Sequence, residues 1–337
     1  MDRRPRLADV AARAGVSTAL VSIVMREAPG ASAATRERVL AVADELGYRP
    51  DVRARLLRRS RSRLIGVVFG VQHAFHGDLV GGLYTAADRV GYELALSAVT
   101  PDRDEGEATA GLLQDRCEAL ILLGPQAPTA SLARLATRMP VVVLARSVRS
   151  AAVDAIHTAE AEGLRQAVDH LVELGHRRIA HIDGGRAPGA TERRRGYRDA
   201  MHHHGLDRHI RIVPGGLTEE DGATAARVLL HAPPTAVTVF NDRCATGVLD
   251  VFSRSGLRVP DEVSVVGYDD SRLARLTHIN LTTIAQDTTT LTRLAVARAI
   301  DRIEGSTVTR REVVVPPHLV VRGTTGKAVM PRSRGGT

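Results

Sequence analysis

The sequence predicts two unlike parts: a small all-α helix-turn-helix domain, followed by a larger α/β core of two lobes with doubly wound parallel sheets. Three observations predict this fold class. Two short helical patterns with a tight turn between them occupy residues 7–25. From residue 64 onward, short apolar runs alternate with amphipathic helical stretches, which is typical of parallel sheets covered by helices. The chain of 337 residues is also too long for one ordinary domain.

Residues 7–25, LADVAARAGVSTALVSIVM, carry the helix-turn-helix pattern. Apolar residues recur at helical spacing on both sides of a short break. Within the break, Gly15 can adopt the left-handed conformation that ends a helix, and Ser17 can cap the next helix through its hydroxyl. In a helix-turn-helix, the second helix enters the DNA major groove. The alternative is a helical hairpin that only packs.

The positive charge of the chain is concentrated in its N-terminal part. Residues 1–63 contain 14 arginines and seven acidic residues, a net charge of +7. The whole chain has a net charge of +8, so the remaining residues carry a net charge of only +1. Such a segment is suited to DNA phosphates or to an acidic membrane surface. No apolar run approaches the length of about 20 residues that a spanning helix needs, and the N-terminus lacks the apolar region of a signal peptide. We therefore expect a soluble, cytoplasmic, nucleoid-associated protein.

A third helix and a linker follow the helix-turn-helix pattern. Ser32 is placed to cap a helix over residues 33–46, and residues 1–49 form the predicted DNA-binding domain. Pro50 then interrupts helical geometry. Residues 50–63 have the composition of one short helix that runs into a basic linker. Because a helix of this length is marginal in water, we expect it to fold only when another surface holds it.

Residues 64–326 form the predicted core, and residues 327–337 form a predicted disordered tail. The strand-like runs of the core are LIGVVFG, ELALSAV, ALILLG, VVVLA, IAHIDGG, AVTVFN and VSVVGYDD. At least seven strands are too many for one small doubly wound domain and suit two lobes. Because ligands of open α/β sheets bind beyond the carboxyl ends of the strands, the residues that follow these runs are the candidate pocket.

The sequence carries no motif of catalysis or metal binding. P-loop, GxSxG, HExxH and CxxC patterns do not occur, and the Gly-Gly pairs lack the full dinucleotide fingerprint. His202, His203 and His204 are consecutive on a predicted helix, so their side chains point in different directions and not at one ion. Cys117 and Cys244 lie in apolar surroundings and predict two buried thiols without a disulfide. We expect no enzyme, no cofactor and no metal site.

Nine segments, taken in order, resemble the lactose-repressor/galactose-repressor family of bacterial transcription regulators. They are LADVAARAGVS, GASAATRERV, ELGYRP, RSRSRLIGVV, ELGHRRIAHIDGG, TERRRGYRDA, VFNDRCATGVLD, GLRVPDEVSVVGYDD and LTTIAQD. The resemblance extends from Leu7 to about Gly326. It implies an N-terminal helix-turn-helix, a hinge helix, a core similar to periplasmic sugar-binding proteins, and a homodimer on a pseudo-palindromic operator in double-stranded DNA.

The resemblance also implies which residues contact DNA. These are Thr18, Ala19, Ser22 and Ile23 at the bases, Ser17, Ser32 and Thr35 at phosphates, and Leu57 as a minor-groove wedge. A wedge of this kind unstacks a base step, and the bent DNA then meets more protein. Arg53 departs from the family, which usually has an apolar hinge residue there, and we expect Arg53 and Arg55 to compensate through contacts with phosphates or the minor groove. The family often has polar residues where Ala19 and Ile23 stand. Here these two side chains offer only apolar contact, such as to a thymine methyl, so the operator of a relative does not transfer to this chain.

The effector contacts implied by the resemblance lie at strand ends of the core. They are Arg193, Asn241 and Asp269, with His73, Phe75, Arg146 and Gln286 as further candidates. Their donors and acceptors suit hydroxyl groups. As single residues, Asn241 and Asp269 are also typical of turns and caps. Ala145 and Ala159 stand where the family commonly has acidic residues, which weakens the carbohydrate interpretation.

These patterns together favour an allosteric DNA-binding repressor whose core binds a small metabolite, with a carbohydrate preferred and a purine or nucleoside as the alternative. A solute-binding protein without DNA function and an enzyme on a two-lobed scaffold are the competing classes. The basic N-terminal part and the missing signal peptide count against the first, and the missing catalytic grouping counts against the second. The tail, KAVMPRSRGGT, has no leucine heptad, so we expect a dimer without a tetramer-forming coiled coil.

Overall fold

A computed structural model describes residues 5–25, 28–48, 61–307 and 310–328. The chain divides into two compact units, Met1–Ser62 and Arg63–Thr337. The division falls at the end of the segment 50–63 that we predicted as hinge helix and linker, with Arg63 in the second unit. The predicted hinge contacts Arg53, Arg55 and Leu57 lie outside the described residues.

The first unit contains three helices, α1 (Leu7–Ala14), α2 (Thr18–Val24) and α3 (Ala33–Glu45). Between α1 and α2, Gly15 has a φ of 65° and the Ser17 hydroxyl accepts a hydrogen bond from the Leu20 amide at 3.1 Å. Both features were predicted from the turn. The Ser32 hydroxyl caps α3 through the Thr35 amide at 3.3 Å. The buried core of the unit consists of Val10, Ala11, Ala14, Val21, Val24, Val39 and Ala43. The helix-turn-helix prediction is confirmed.

The second unit alternates strands with helices. In chain order its elements are β1 (Leu64–Gly70), α4 (Ala74–Asp88), β2 (Glu93–Val99), α5 (Glu105–Gln114), β3 (Ala119–Leu123), α6 (Thr129–Ala136), β4 (Val141–Leu144), β5 (Asp154–Thr158), α7 (Glu160–Glu173), β6 (Ile179–Asp183), α8 (Ala190–His203), β7 (Arg211–Pro214), α9 (Glu219–Leu230), β8 (Ala236–Val239), α10 (Asp242–Arg254), β9 (Ser264–Asp269), β10 (Thr282–Ala285), α11 (Thr288–Ile303), β11 (Glu312–Val315) and β12 (His318–Val320). Each of the seven apolar runs singled out in the sequence is one of these strands.

The strands form two six-stranded sheets. The first has the order β11-β5-β4-β3-β1-β2, and the second has the order β12-β10-β9-β8-β6-β7. Neighbouring strands run parallel, except that β12 is antiparallel to β10. In each sheet the chain moves from the first strand to a neighbour on one side and then continues on the other side. Both sheets are therefore doubly wound, as predicted, with a reversal of strand order beside β1 and beside β6.

Each sheet forms a lobe with the helices that pack on it. The first lobe includes α11 as well as α4, because Leu291 and Ala295 of α11 share a buried cluster with Leu79 of α4 and Ile65 of β1. The second lobe begins with α7, whose Leu164 shares a cluster with residues of the second sheet. The two-lobed α/β prediction is confirmed.

The chain passes between the lobes three times, at residues 158–160, 285–288 and 315–318. These crossings are bonded to one another. The Thr158 hydroxyl donates to the Gln286 side-chain carbonyl at 2.5 Å, and the Ala159 amide donates to the Val315 carbonyl at 2.9 Å.

No single helix among the described residues is long and apolar enough to cross a membrane, and α1 with α2 meets that test only as a pair bent by 101°. At the other end of the chain, Lys327 and Ala328 belong to the stretch that we predicted as a tail. The Ala328 amide donates to the Leu174 carbonyl at 2.9 Å, so this stretch is attached to the second lobe at least to Ala328.

Candidate functional site

A small cavity lies between the two lobes of the second unit, at the carboxyl ends of both sheets. Its volume is about 40 Å³. The residues that we predicted as effector contacts and that line it are His73, Phe75, Arg193, Asn241, Asp269 and Gln286. Strand ends, helix starts and a lobe crossing supply these residues from five separate parts of the chain. The position agrees with the general rule for open α/β sheets, in which ligands bind beyond the carboxyl ends of the strands.

Arg193 is the only fixed positive charge among the residues that line this cavity. It shares the buried face of α8 with Tyr197, four residues further on. Its Nε donates to the Glu160 carboxylate at 2.7 Å and one terminal nitrogen donates to the Phe240 carbonyl at 2.5 Å. The other terminal nitrogen lies 3.7 Å from the Asp269 carboxylate. A ligand that binds Arg193 must therefore compete with partners from the protein itself.

Two aromatic rings cover the Arg193 guanidinium. Its central carbon lies 3.5 Å from the centroid of the Tyr268 ring and 4.6 Å from that of Phe240. Cation–π contacts of this kind hold a guanidinium in one plane and strengthen when the site is dry. Arg193 is 4% exposed, so its orientation is fixed before any ligand arrives.

Sequence reasoning missed Glu160, the carboxylate that pairs with Arg193. Glu160 is the first residue of α7 and the last residue of the first lobe crossing, and it is 7% exposed. It was missed because the preceding strand β5, with the sequence DAIHT, contains too few apolar residues to be recognised. If β5 had been recognised as a strand, the acidic residue just after its end would have indicated Glu160 as a candidate for the site.

Asp269 joins the cavity to the second lobe crossing. Its carboxylate accepts a hydrogen bond from the Gln286 side-chain amide at 2.8 Å. Burial raises the pKa of Asp269 well above its usual range, while the charge of Arg193 opposes this shift. Asp269 also has a φ of 111°, a conformation that non-glycine residues rarely adopt and that is characteristic of functional sites.

Asn241 lines the cavity and also caps a helix. Its side-chain carbonyl accepts from the Cys244 amide at 2.7 Å at the start of α10, and its side-chain amide donates to the Leu217 carbonyl at 3.2 Å. The capping role and the position on the cavity wall, which we treated as alternatives, thus coincide in one residue.

His73 and Phe75 bring the first lobe to the cavity through the loop after β1 and the start of α4. The His73 ring stacks on that of His76, with centroids 4.5 Å apart. Burial lowers the pKa of both imidazoles, that of His76 to about 3. Both rings are therefore neutral near pH 7. Within the part of the chain that the structure describes, no group of three His, Cys, Asp or Glu side chains is placed to hold a metal ion.

Arg146 does not reach the interlobe cavity. The same guanidinium nitrogen donates to the Pro125 carbonyl at 2.5 Å and to the Ala127 carbonyl at 2.8 Å. Its neighbour Ala145, with a φ of 63°, lines the cavity instead. The backbone turns at Ala145 and directs the Arg146 side chain to the loop after β3, which the sequence did not indicate.

The lobes are closed around the cavity. A β-carbon built on Gly124, at the end of β3, would lie 3.1 Å from the Pro188 side chain of the second lobe. At the edge of the cleft, Arg243 of α10 pairs with Glu219 at 2.6 Å and also donates to the Gln72 carbonyl of the first lobe at 3.4 Å. The volume of about 40 Å³ holds one or two water molecules, so this arrangement of the lobes leaves too little room for a whole metabolite.

In the first unit, the predicted DNA contacts differ in exposure. Thr18 and Ala19, at the start of α2, are exposed, as are the capping residues Ser17 and Ser32. Ser22, Ile23 and Thr35 are half-buried. Ile23 lies near the loop after α2, since a β-carbon built on Gly30 would be 3.8 Å from its side chain.

Comparison with known protein families finds a match within each of the two units. Residues 6–51 match the model for bacterial regulatory proteins of the lacI family, and residues 168–325 match a periplasmic binding protein-like domain. The HTH-type transcriptional regulator GalR of Escherichia coli strain K12 is 31% identical over 326 residues, which cover 93% of this chain and 94% of GalR. The chain belongs to the LacI family. The resemblance inferred from the nine sequence segments is confirmed.

Two solved structures from the LacI family extend the comparison to the fold. A LacI transcriptional regulator from a Rhodococcus species is 51% identical, with a TM-score of 0.76, over 79% of this chain and 99% of that one. A lac repressor dimer bound to operator and the anti-inducer ONPF is 32% identical, with a TM-score of 0.79, over 96% of this chain and all of that one. This family member binds operator DNA and a small molecule as a dimer.

Proposed function

We propose that this chain is a transcription repressor whose affinity for its operator is set by a small metabolite bound between the two core lobes. The observation that carries the proposal is the buried group of Arg193, Asp269 and Gln286 beside a lobe crossing. A ligand that replaces the hydrogen bonds of this group therefore acts on the joint between the lobes, that is, on the three lobe crossings. No grouping of a nucleophile with a base was found at this cavity, so we propose a regulator and not an enzyme.

The first unit supplies the DNA contacts of the proposed repressor. Thr18 and Ala19 are exposed at the start of the recognition helix α2, where base edges are read. Ser17, Ser32 and Thr35 contact phosphates, and Ser22 and Ile23 complete the base-facing surface. For the segment outside the described residues, we propose that Arg53 and Arg55 contact phosphates or the minor groove and that Leu57 acts as a minor-groove wedge.

The repressor acts as a homodimer on a pseudo-palindromic operator, because a two-fold site in DNA requires a two-fold protein. The edge strand β2 offers an apolar surface for this contact. Leu96 of β2 is 40% exposed, Tyr84 within α4 is 48% exposed, and Val90, just beyond the end of α4, is 46% exposed. Exposed apolar side chains on two neighbouring elements are suited to an interaction surface.

The effector is a carbohydrate in our preferred interpretation. Arg193, Asn241, Asp269 and Gln286 present both donors and acceptors to the cavity, which suits a ligand with several hydroxyl groups. A purine or nucleoside is the second candidate. It is favoured by Phe75, which lines the cavity with His73 and offers a flat apolar face to a base.

The signal passes from the cavity to the lobe crossings. An effector that replaces the Glu160 or Asp269 partners of Arg193 favours a different separation of the lobes, by its differential affinity for the two arrangements. We favour induction, in which the new arrangement separates the hinge segments of the dimer and withdraws Leu57 from DNA. Corepression is the alternative, in which the bound effector instead favours the arrangement that binds the operator.

The test is a gel shift with the promoter region beside the gene, first with a panel of mono- and disaccharides and then with purine nucleosides. In preparations that circular dichroism shows to be folded, Arg193→Ala should keep operator binding and lose the response to the effector, whereas Arg198→Ala, an exposed arginine of the same helix, should keep both. Asn241→Ser preserves a capping oxygen and should weaken the response without unfolding α10. Leu57→Ala should weaken operator binding with effector affinity unchanged. A response of Arg193→Ala at the wild-type effector concentration would show that the effector binds elsewhere.

A further inference from the structure

A second and much larger cavity lies entirely within the first lobe. Its volume is about 740 Å³, and all the residues that line it fall between Val68 and Ala127. It opens at the carboxyl ends of β1, β2 and β3, where the strand order of the first sheet reverses. This is the position at which open doubly wound sheets bind ligands, and the volume falls within the range of small-molecule pockets.

One wall of this cavity is held in place from two sides. The Glu105 carboxylate accepts a hydrogen bond from the Gln126 amide at 2.8 Å. Arg146 holds the same loop through the Pro125 and Ala127 carbonyls. A wall that is ordered before binding loses little conformational entropy when a ligand arrives. This explains what Arg146 does in place of the effector contact that we expected.

The mouth of the cavity is acidic. Asp102, Asp104, Glu105 and Glu107 line it, against one basic residue, Arg103, which donates to the Ala98 carbonyl at 2.8 Å. Three of these carboxylates lie at the start of α5, where a helix would otherwise attract an anion. A phosphorylated or carboxylated ligand is therefore repelled, and a cation is attracted.

The inner surface of the cavity is apolar and uncharged. Val68, Phe69, Val99, Leu122 and Leu123 contribute strand-end side chains and backbone. The stacked rings of His73 and His76 form a further wall, and because burial lowers the pKa of both imidazoles, they add no positive charge near pH 7. An apolar interior beneath an acidic mouth suits a ligand that is apolar at one end and cationic at the other.

We propose that this cavity, which adjoins the interlobe cavity and shares His73 and His76 with it as lining residues, is a second small-molecule site that takes an organic ammonium ion attached to an apolar body. The apolar body occupies the interior at the ends of β1 and β3, and the ammonium group lies among the carboxylates at the mouth. The inference does not depend on the identity of the effector between the lobes, and it predicts binding to the free protein.

Three probes of similar shape test the charge preference. Tryptamine is cationic, tryptophol is neutral and indole-3-acetate is anionic at pH 7.5. We expect titration calorimetry of the full chain at low ionic strength to give tryptamine a Kd on the order of 1 mM or lower. Its affinity should exceed that of tryptophol about threefold and that of indole-3-acetate about tenfold, since exposed charges contribute modestly.

Paired variants locate the binding. Asp102→Asn with Glu107→Gln removes two charges from the mouth, and should reduce the preference for tryptamine over tryptophol to less than about twofold. Asp88→Asn with Asp115→Asn removes two exposed carboxylates of the same lobe that lie away from the cavity, and should leave the preference unchanged. Equal affinity for the three probes, no binding of tryptamine, or the same loss in both double variants would overturn the proposal.

Discussion

The hydroxyl of Thr158 donates to the side-chain carbonyl of Gln286 at 2.5 Å and so ties the first lobe crossing to the second. The amide of the same Gln286 donates to Asp269 at 2.8 Å. One buried side chain therefore belongs both to the joint between the lobes and to the wall of the interlobe cavity. Glu160 of the first crossing also lines this cavity, so a change at the cavity can reach the crossings through Gln286 and through Glu160.

Thr158→Val should weaken this joint. The substitution keeps the shape of the side chain but leaves the Gln286 carbonyl, which is buried, without its donor, so the free energy of unfolding should fall by about 1–2 kcal/mol. Urea unfolding measures the change. Thr246→Val is the matched control, because the Thr246 hydroxyl bonds only within α10 and its loss should be much smaller. Equal losses in the two variants would contradict a special role for the crossing.

Arg193→Met should be far more destabilising than the loss of a surface ion pair. It leaves the buried carboxylates of Glu160 and Asp269 without their cation, at a cost of about 3–5 kcal/mol. Adding Glu160→Gln to the same chain should restore part of the stability, which a double-mutant cycle measures. Arg165→Met is the control: its pair with Glu162 is exposed and should contribute less than about 1 kcal/mol. A loss no larger than that of the control would mean that the buried pair is not formed.

Asp242 should make the stability of the core depend on pH. Burial raises the pKa of this carboxyl from 3.8 to about 6 in the folded protein, so the folded state holds its proton more tightly than the unfolded state. The stability that this provides is complete below about pH 4 and is lost as the pH rises through 6, to a total on the order of 2–3 kcal/mol.

The measurement for Asp242 is urea unfolding of the wild type and of Asp242→Asn at pH 4.5 and pH 7.5. The asparagine does not titrate, and it can still bond the Ser271 amide and the Thr283 hydroxyl that Asp242 engages. The variant should therefore gain stability relative to the wild type as the pH rises. A difference between the two proteins that is the same at both pH values would argue against the shift.

Ile23→Arg should change which operator sequence is preferred. Ile23 offers only apolar contact, whereas an arginine reads guanine through two hydrogen bonds, a preference of about 1–3 kcal/mol for the matching base. Selection from randomised half-sites measures the preference. Leu40→Arg adds the same charge at an exposed position of α3 and should only tighten binding to all sequences. If both variants select the wild-type sequence, Ile23 does not face the bases.

Leu96→Glu should separate the dimer. A carboxylate on the edge strand β2 would be buried without a partner in an interface that covers this surface, so the mass from light scattering should fall to that of one chain. Val321→Glu, at a residue that is 58% exposed in the second lobe, should leave the dimer intact. A dimer that persists in Leu96→Glu would place the interface on another surface.

The sequence predicted the features that depend on local chemistry. Gly15 and Ser17 end and begin helices because of their own conformational and hydrogen-bonding properties, and they do so in any context that allows the turn. Seven strands with continuous apolar runs were recognised in the same way, whereas β11, with the sequence EVVV, was not singled out. Strands β5 and β10, DAIHT and TTIA, were not, because their polar side chains are satisfied by partners distant in sequence: Asp154 of β5 lies against Arg298 of α11 at 2.9 Å.

The candidate site was predictable in part for the same reason. Arg193, Asn241 and Asp269 were found through motifs that match a known family. Glu160 was not, because its role exists only once α7 and α8 are packed together. The direction of Arg146 depends on the φ of Ala145, a backbone choice that residue identities alone do not reveal.

The three bonded crossings have a consequence for how such regulators diversify. Among the described residues, β1 of the first lobe is the first strand of the core, and the chain passes between the two lobes at residues 158–160, 285–288 and 315–318. A change in the second lobe can reach the first lobe through these crossings, whatever chemistry the second lobe binds. New ligand preferences can therefore arise by exchange of pocket residues such as Arg193 and Asn241, while the reading of DNA and the transmission of the signal remain as they were.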